Sequence, residues 1–524
     1  MKFKKIATLL GCIMILTTGL VGCGSTSEST TETQTKTPDS LIYGIDGDPG
    51  NSVNVITTGD RYGLMEIKLL YSPLYMYNAD KIVYFLAESM TPSEDNLTYT
   101  AKLKENVKWS DGEPFTADDV VFTYNEMLKE ANAGWAYSQL IFEGKAVKVE
   151  KVDDYTVKFI LPTVGASAIE LLGNIFIMPK HIYEGETNIE NSAKNATPVG
   201  TGPYKLQEYK AGQYVKFVSN EDYFLGVPKI KNIAFRQVQD ANTALLALQN
   251  GEINALAVDP KDIAKLGDKS KINAVPYDEG RVGYMAFNMS SKTVENKDVR
   301  KSILYALSRN EMITASYLSD EFAKPVYSFL PNESQYSSKD LEKYDTDASK
   351  SKELLSKAGV SDLKLKLAYI SNNVPQQKQA IIIQENLKKV GVTVELLGMD
   401  STALYASLKK HDSNFDMYLG GYIMGIDPDT FNSLFITGSS SNYMGYSNPE
   451  IDKLFIQGRV ETDIAKRKEI YNSIQKLLQD DAVFYPIVEN KRILAIDANV
   501  NGIEEAGLVP VYTFEDMSKL YYEK

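Results

Sequence analysis

Cysteine is almost missing from this chain. Its 524 residues include two, Cys12 and Cys23. Both fall near the start, so the body that follows holds no disulfide and no thiolate metal site. Histidine is as scarce: His181 and His411 are the only two and lie more than 200 residues apart, a poor basis for acid–base catalysis or a metal centre. His181 follows Met178-Pro179-Lys180 and reads as a helix start after a turn. His411 reads as a solvated member of the charged loop Lys409 to Asn414. There is no Walker A sequence, no Gly-x-Ser-x-Gly elbow and no His-Glu-x-x-His pair. Ser-x-x-Lys occurs at Ser349 with Lys352 and at Ser407 with Lys410, but in Lys- and Ser-rich helical surface sequence without the companion Ser-Asp-Asn or Lys-Thr-Gly elements. The expectation is a protein that is not an enzyme and uses no cofactor or metal. Basic clusters are missing too. The net charge is −13, becoming −16 if Lys2, Lys4 and Lys5 are removed, which argues against nucleic acid or an anionic membrane surface as the main partner.

Only one apolar run stands out. After Lys2, Lys4 and Lys5, the 16 residues from Ile6 to Val21 are interrupted only by Thr, Gly and Cys12. That is short of the ~20 residues of a membrane span and suits a secretory leader. It ends in Leu20-Val21-Gly22-Cys23, which resembles a bacterial lipobox. The resemblance implies that residues 1–22 are a cleaved signal peptide and that Cys23 carries a diacylglyceryl group, the chain's only membrane attachment. Residues 23–38 are almost wholly Gly, Ser, Thr, Glu, Gln and Lys. Such a stretch has nothing to bury and is expected to be a disordered tether, with an r.m.s. reach of roughly 20 Å.

The remaining residues, about 485 of them, are ample for two or more domains. One pattern occurs in each half. Ile233 to Val238 reads as a strand, Asp240 as an N-cap, Ala244, Leu245 and Leu248 as a helix face, Gly251 as its stop and Ile253 to Val258 as a second strand. In the second half, Leu363, Leu365 and Leu367 alternate with lysines, a helix runs from about Gln376 to Val390, Gly391 stops it, and Val392, Val394 and Leu396 alternate again. Strand–helix–strand units of this length imply parallel strands, hence two α/β lobes. Tyr284 to Asn288 reads as a first crossing between them and Phe484 to Val488 as the return. Asp298 is the expected cap of a helix striped by Val299, Ile303 and Leu307, and Ile470, Ile474, Leu477 and Leu478 mark another. A hairpin is expected from Val147 and Val149 to Tyr155, Val157, Phe159 and Leu161, turning at Asp153-Asp154. Tyrosine is abundant, 33 against 2 Trp. Its apolar face and polar tip suit adaptable clefts, which favours binding without locating the site.

Several strings, taken in order, carry a family resemblance. Pro198-Val199-Gly200-Thr201-Gly202-Pro203-Tyr204 resembles the signature of the extracellular solute-binding proteins, family 5, that serve oligopeptide, dipeptide and nickel ABC importers. Trp109-Ser110-Asp111-Gly112-Glu113-Pro114-Phe115-Thr116-Ala117-Asp118-Asp119-Val120, Asn220 to Pro228, Asn250-Gly251-Glu252-Ile253 and Val299-Arg300-Lys301 with Tyr305-Ala306-Leu307 match further elements. Most have scaffold readings: Thr116 with Asp119 forms a capping box, and Gly200, Gly202 and Pro203 shape a turn.

The resemblance implies an α/β, periplasmic-binding-protein-like fold of type II, with two lobes joined by two crossover strands and an extra subdomain on the first. On this chain the expected bounds are 39–286 for the N-terminal lobe (extra subdomain about 74–199), 287–485 for the second, and 486–524 for the return. It also implies a monomer that closes on a ligand, most readily a peptide, and docks on an ABC permease with separate ATPase subunits. The alternatives are a nickel or metal-chelate carrier and a peptide-sensing surface receptor. Relatives place an acid for the peptide's ammonium three residues before Asp-Pro; here that position is Met424, ahead of Asp427-Pro428. The expected cleft residues are Tyr422, Met424, Asp427, Asn442 and Tyr443, with Arg61, Tyr62 and Trp135 from the first lobe.

Overall fold

A computed structural model describes residues 39–523 except 49, 51, 79, 80, 143, 269, 413, 426 and 512. The leader, Cys23 and the tether lie outside the described residues. Alternating apolar residues build one mixed sheet of eleven strands. Its main members are β1 (Ser40–Ile45), β2 (Tyr204–Lys210), β3 (Tyr214–Ser219), β4 (Asn232–Gln237), β5 (Ala255–Val258), β6 (Ile272–Phe287), β7 (Lys364–Ile370), β8 (Thr393–Met399), β9 (Met417–Ile423) and β10 (Phe484–Asp497). They run in the order β2-β3-β4-β1-β5-β10-β6-β9-β7-β8. In each half the expected parallel strands are present, but the first pair is not adjacent: β1 lies between β4 and β5, parallel to both. In the second half β7 and β8 pair directly.

The helices follow their sequence signals closely. They include α1 (Arg61–Leu70), α2 (Ala117–Met127), α3 (Ala168–Asn174), α4 (Ala241–Gln249), α5 (Lys297–Ala306), α6 (Val374–Lys389), α7 (Pro449–Val460) and α8 (Ile464–Asp481). Thr116 and Asp119 make the full capping box of α2, and Asp240 caps α4. The cap of α5 is Asn296 rather than Asp298; either side chain can accept the free amides, and Asp298 instead supplies negative charge to the first turn. Gly200 and Gly202 lie against the end of α1, where an added Cβ would fall 1.8 Å from the Leu70 carbonyl oxygen and 2.3 Å from that of Leu69. A separate four-stranded sheet, Ala87–Pro92, Thr98–Leu103, Thr156–Ile160 and Lys148–Asp153, contains the expected hairpin with Lys148 opposite Ile160.

The two longest strands hold the halves together. In the first lobe β10 pairs with β5, through Val258 opposite Ile493. In the second, β6 pairs with β9, from Arg281 opposite Ile423 to Phe287 opposite Met417. Between those stretches β6 and β10 run side by side, antiparallel, from Ile272 opposite Asp497 to Ala286 opposite Phe484. Tyr284 to Asn288 and Phe484 to Val488 therefore sit at the second-lobe ends of this ribbon. Directions follow from the pairing. The carboxyl ends of β1, β4 and β5 point at the second lobe, and those of β7, β8 and β9 point back at the first. The crevice between opposed carboxyl ends is where open α/β sheets bind ligands.

Candidate functional site

The second-lobe wall of the crevice begins in β9. Gly420 and Gly421 leave that strand bare, and two side chains from β6 lie across it. A Cβ on Gly420 would stand 2.4 Å from the Tyr284 ring, and one on Gly421 would stand 2.7 Å from Nη2 of Arg281. A glycine inside a strand marks such close approach. Arg281 is half-buried, and among the described residues its guanidinium makes no hydrogen bond or ion pair. Tyr422 donates its hydroxyl to the Phe329 carbonyl, and its ring lies nearly parallel to Phe484 at 6.3 Å. Met424 is half-buried against the same aromatic cluster, and Tyr443 joins it through Tyr405 at 5.7 Å.

Two expected cleft residues on this wall are engaged in the scaffold. Asp427 is buried and grips Arg467 through two bonds of 2.6 and 2.9 Å while capping the turn at the Asp429 amide. Arg467 also donates to the Gly458 carbonyl and the Tyr336 hydroxyl. Burial works against its charge, but the bonds and charge of Asp427 hold it above its usual pKa. Asn442 is 3 % exposed. Its amide nitrogen donates to the carbonyls of Phe435, Ile436 and Tyr446, and its oxygen accepts from the Tyr446 amide. It fastens its own loop and has no donor left for a ligand.

On the first-lobe wall, Tyr62 lies against Gly47, just past the carboxyl end of β1; a Cβ there would come 2.4 Å from its ring. Arg61 opens α1, and its charge bears on the buried Tyr43 hydroxyl. Trp135 is 39 % exposed, with its indole N–H donated to the Val55 carbonyl at 3.0 Å. Where the lobes meet, the Ala166 amide donates to the Arg459 carbonyl at 2.8 Å. Beside that contact, Oε1 of Glu170, on α3, lies 3.5 Å from where a Cβ of Gly425 would be.

Four of the charged groups here lie outside the sequence expectation: Glu170, Arg281, Arg467 and Glu489. The glycine pair at 420 and 421 was the available signal for Arg281. Glu489, in the ribbon, is buried and accepts from the Asn332 amide; burial and the charges of Asp278 and Glu333 push its carboxyl up. His181 begins a short helix as expected and bonds Asp111 at 2.8 Å. Among the described residues no three His, Cys, Asp or Glu side chains gather as a metal site, and no helix is long and apolar enough to cross a membrane.

Comparison with known proteins bears directly on this architecture. The family described as bacterial extracellular solute-binding proteins, family 5, matches residues 81–444. The chain belongs to that family. It is thus an extracytoplasmic solute-binding protein of the kind that serves ABC importers, and not an enzyme. The ABC transporter substrate-binding protein CtaP of Listeria monocytogenes has 42% identity and a TM-score of 0.90, over 93% of this chain and 100% of that one. A structure described as a putative peptide-binding protein, AppA, from Clostridium difficile has 38% identity and a TM-score of 0.86, over 92% and 100%. The oligopeptide-binding protein AppA of Bacillus subtilis is 27% identical across 98% of this chain and 99% of its own. Its structure with a nonapeptide superposes with a TM-score of 0.75.

Proposed function

We propose that this solute-binding protein captures peptides in the crevice between its lobes and delivers them to the permease of an ABC importer. We place it on the outer face of the cytoplasmic membrane, held by an acyl group on Cys23. The observation that carries the peptide reading is Arg281. A half-buried guanidinium with no partner among the described residues is costly to keep unless a ligand anion fills it. Lying flat over Gly421, it suits the forked geometry of a carboxylate, a group every unmodified peptide ends in. The description of the Bacillus relative as oligopeptide-binding and of the Clostridium one as peptide-binding supports the same reading. Elsewhere on the same wall, the aromatic and thioether side chains of Tyr422, Met424 and Tyr443 pack on one cluster and offer adaptable apolar contact.

Ligand binding shifts the population toward the closed arrangement, which is what the permease then recognises. Thermal-shift titration of the protein with randomised peptide pools, set against chelated nickel, tests the proposal. Stabilisation by peptides is expected; stabilisation by the chelate alone would replace the peptide reading with the metal-carrier one. Lipid labelling that disappears in Cys23→Ala tests the anchor.

A further inference from the structure

The lobes touch at a place where one acid is left without a partner among the described residues. On the second-lobe side the charges are neutralised in pairs: Asp427 with Arg467, and Asp429 with Arg459 at 2.9 Å. The first lobe sends Glu170 against the exposed backbone of Gly425, one residue past Met424 and two past the carboxyl end of β9. No group among the described residues donates a hydrogen bond to the Glu170 carboxylate, and no cation pairs with it. On its own lobe the titratable groups packed on α3 are tyrosines. Tyr75 donates to the Ile169 carbonyl and Tyr124 to the Leu172 carbonyl, so neither serves Glu170.

From this juxtaposition we infer that Glu170 receives the cationic group of the ligand, an ammonium brought to the crevice beside Gly425. The inference rests on the peptide reading and deepens it: Arg281 takes the carboxylate end, and Glu170 takes the amine from the opposite lobe. Gly421 and Gly425 are four residues apart, so the chain between them spans at most about 14 Å. Glu170 and Arg281 therefore bracket a short stretch of the same wall. A ligand held by both would tie the lobes together, because the two charges belong to different halves of the molecule.

The ionisation of Glu170 is consistent with an empty cation site. Burial, and then the charge of Asp427, push the carboxyl up to about 8, with Arg467 pulling the other way. At neutral pH the site holds a proton, and an arriving ammonium displaces it. Affinity for an amine-bearing ligand therefore rises with pH until about 8, and binding at pH 7 releases close to one proton.

The test uses the full-length chain in detergent and two probes: a pool of random-sequence pentapeptides with free amino termini, and the same pool N-acetylated. The wild-type protein is expected to saturate at a concentration at least tenfold lower with the free pool. Glu170→Gln, which keeps shape and volume, is expected to keep or raise the melting temperature of the unliganded protein and abolish the difference between pools. Proton release, read by calorimetry in buffers of differing ionisation enthalpy, should vanish with it. Equal binding of both pools to the wild type, a preference that survives in Glu170→Gln, or equal loss of both pools in that variant overturns the assignment while leaving peptide capture intact. If neither pool binds the wild type, the peptide reading fails and the assignment fails with it.

Discussion

The two walls of the crevice are built on opposite terms. On the second-lobe wall most of the charge is paired: Asp427 holds Arg467, Asn442 is bonded on both sides of its amide, and Asp429 pairs with Arg459 while keeping one buried oxygen without a partner among the described residues. On the first-lobe side two acids lie unserved. Among the described residues Glu170 faces the other lobe without a donor, and Glu66, on α1, is 1 % exposed with one carboxylate oxygen lacking a partner among them. A saturated network fixes a shape; an unsatisfied acid stores a preference for a proton or a cation. On the second-lobe side, Arg281 is the charge assigned to the ligand.

That contrast predicts a ranking. Arg467→Met leaves the Asp427 carboxylate buried and alone. It should cost about 3–5 kcal/mol in urea unfolding, the largest single effect among these positions. Glu66→Gln acts through pH. Burial, with the charges of Asp60 and Asp48, pushes this carboxyl up to about 8, whereas the unfolded chain deprotonates near the ordinary value. Between those limits the native state holds the extra proton, so stability falls as pH rises from ~4.5 to ~8. The Gln variant should lose most of that slope, on the order of a few kcal/mol between unfolding curves at pH 5 and pH 8. Part of the slope should remain, because Glu170 is shifted in the same direction. Asn442→Ala should cost about 2 kcal/mol of stability with peptide affinity within about twofold of wild type. Arg281→Met should keep or raise the melting temperature of the unliganded protein and weaken peptides with a free carboxyl terminus at least tenfold, ~1.4 kcal/mol, while amidated peptides bind as before. A stability loss from Arg281→Met, or an affinity loss from Asn442→Ala, would erase the distinction between scaffold and site.

Periodicity and capping made the lobes legible. Asp240, Gly251 and Gly391 punctuate helices where the chain itself decides the conformation, and all three hold their expected places. Thr116 with Asp119 is equally local. The site was less legible because its contacts are not local. Nothing near Asp427 in sequence announces Arg467, which reaches it from α8, and nothing near Glu170 announces Gly425. Asp427 was expected in the cleft as the acid able to replace the one absent at Met424, and Asn442 as a lining residue. The fold uses them instead to satisfy backbone amides and a buried cation, a demand that only the packed structure reveals. Tyr422, Met424 and Tyr443 do share one aromatic cluster, but a string of tyrosines says nothing of which hydroxyl is already engaged.

The ribbon of β6 and β10 has a mechanical consequence. Its pairing slips between Asp278 and Arg281, and Gly280, at φ +61°, sits in the slip. Two hydrogen-bonded strands side by side resist sliding and stretching but bend across their plane, and an irregular step concentrates that bend. Gly280 carries little torsional penalty for it. The next residue is Arg281, so the irregular step and the group proposed to receive the ligand's carboxylate are consecutive links of one chain. Turning the backbone at Gly280 swings the guanidinium relative to Gly421. On that proposal, opening the lobes and letting go of the carboxylate would be one movement, with no separate trigger for cargo release at that end.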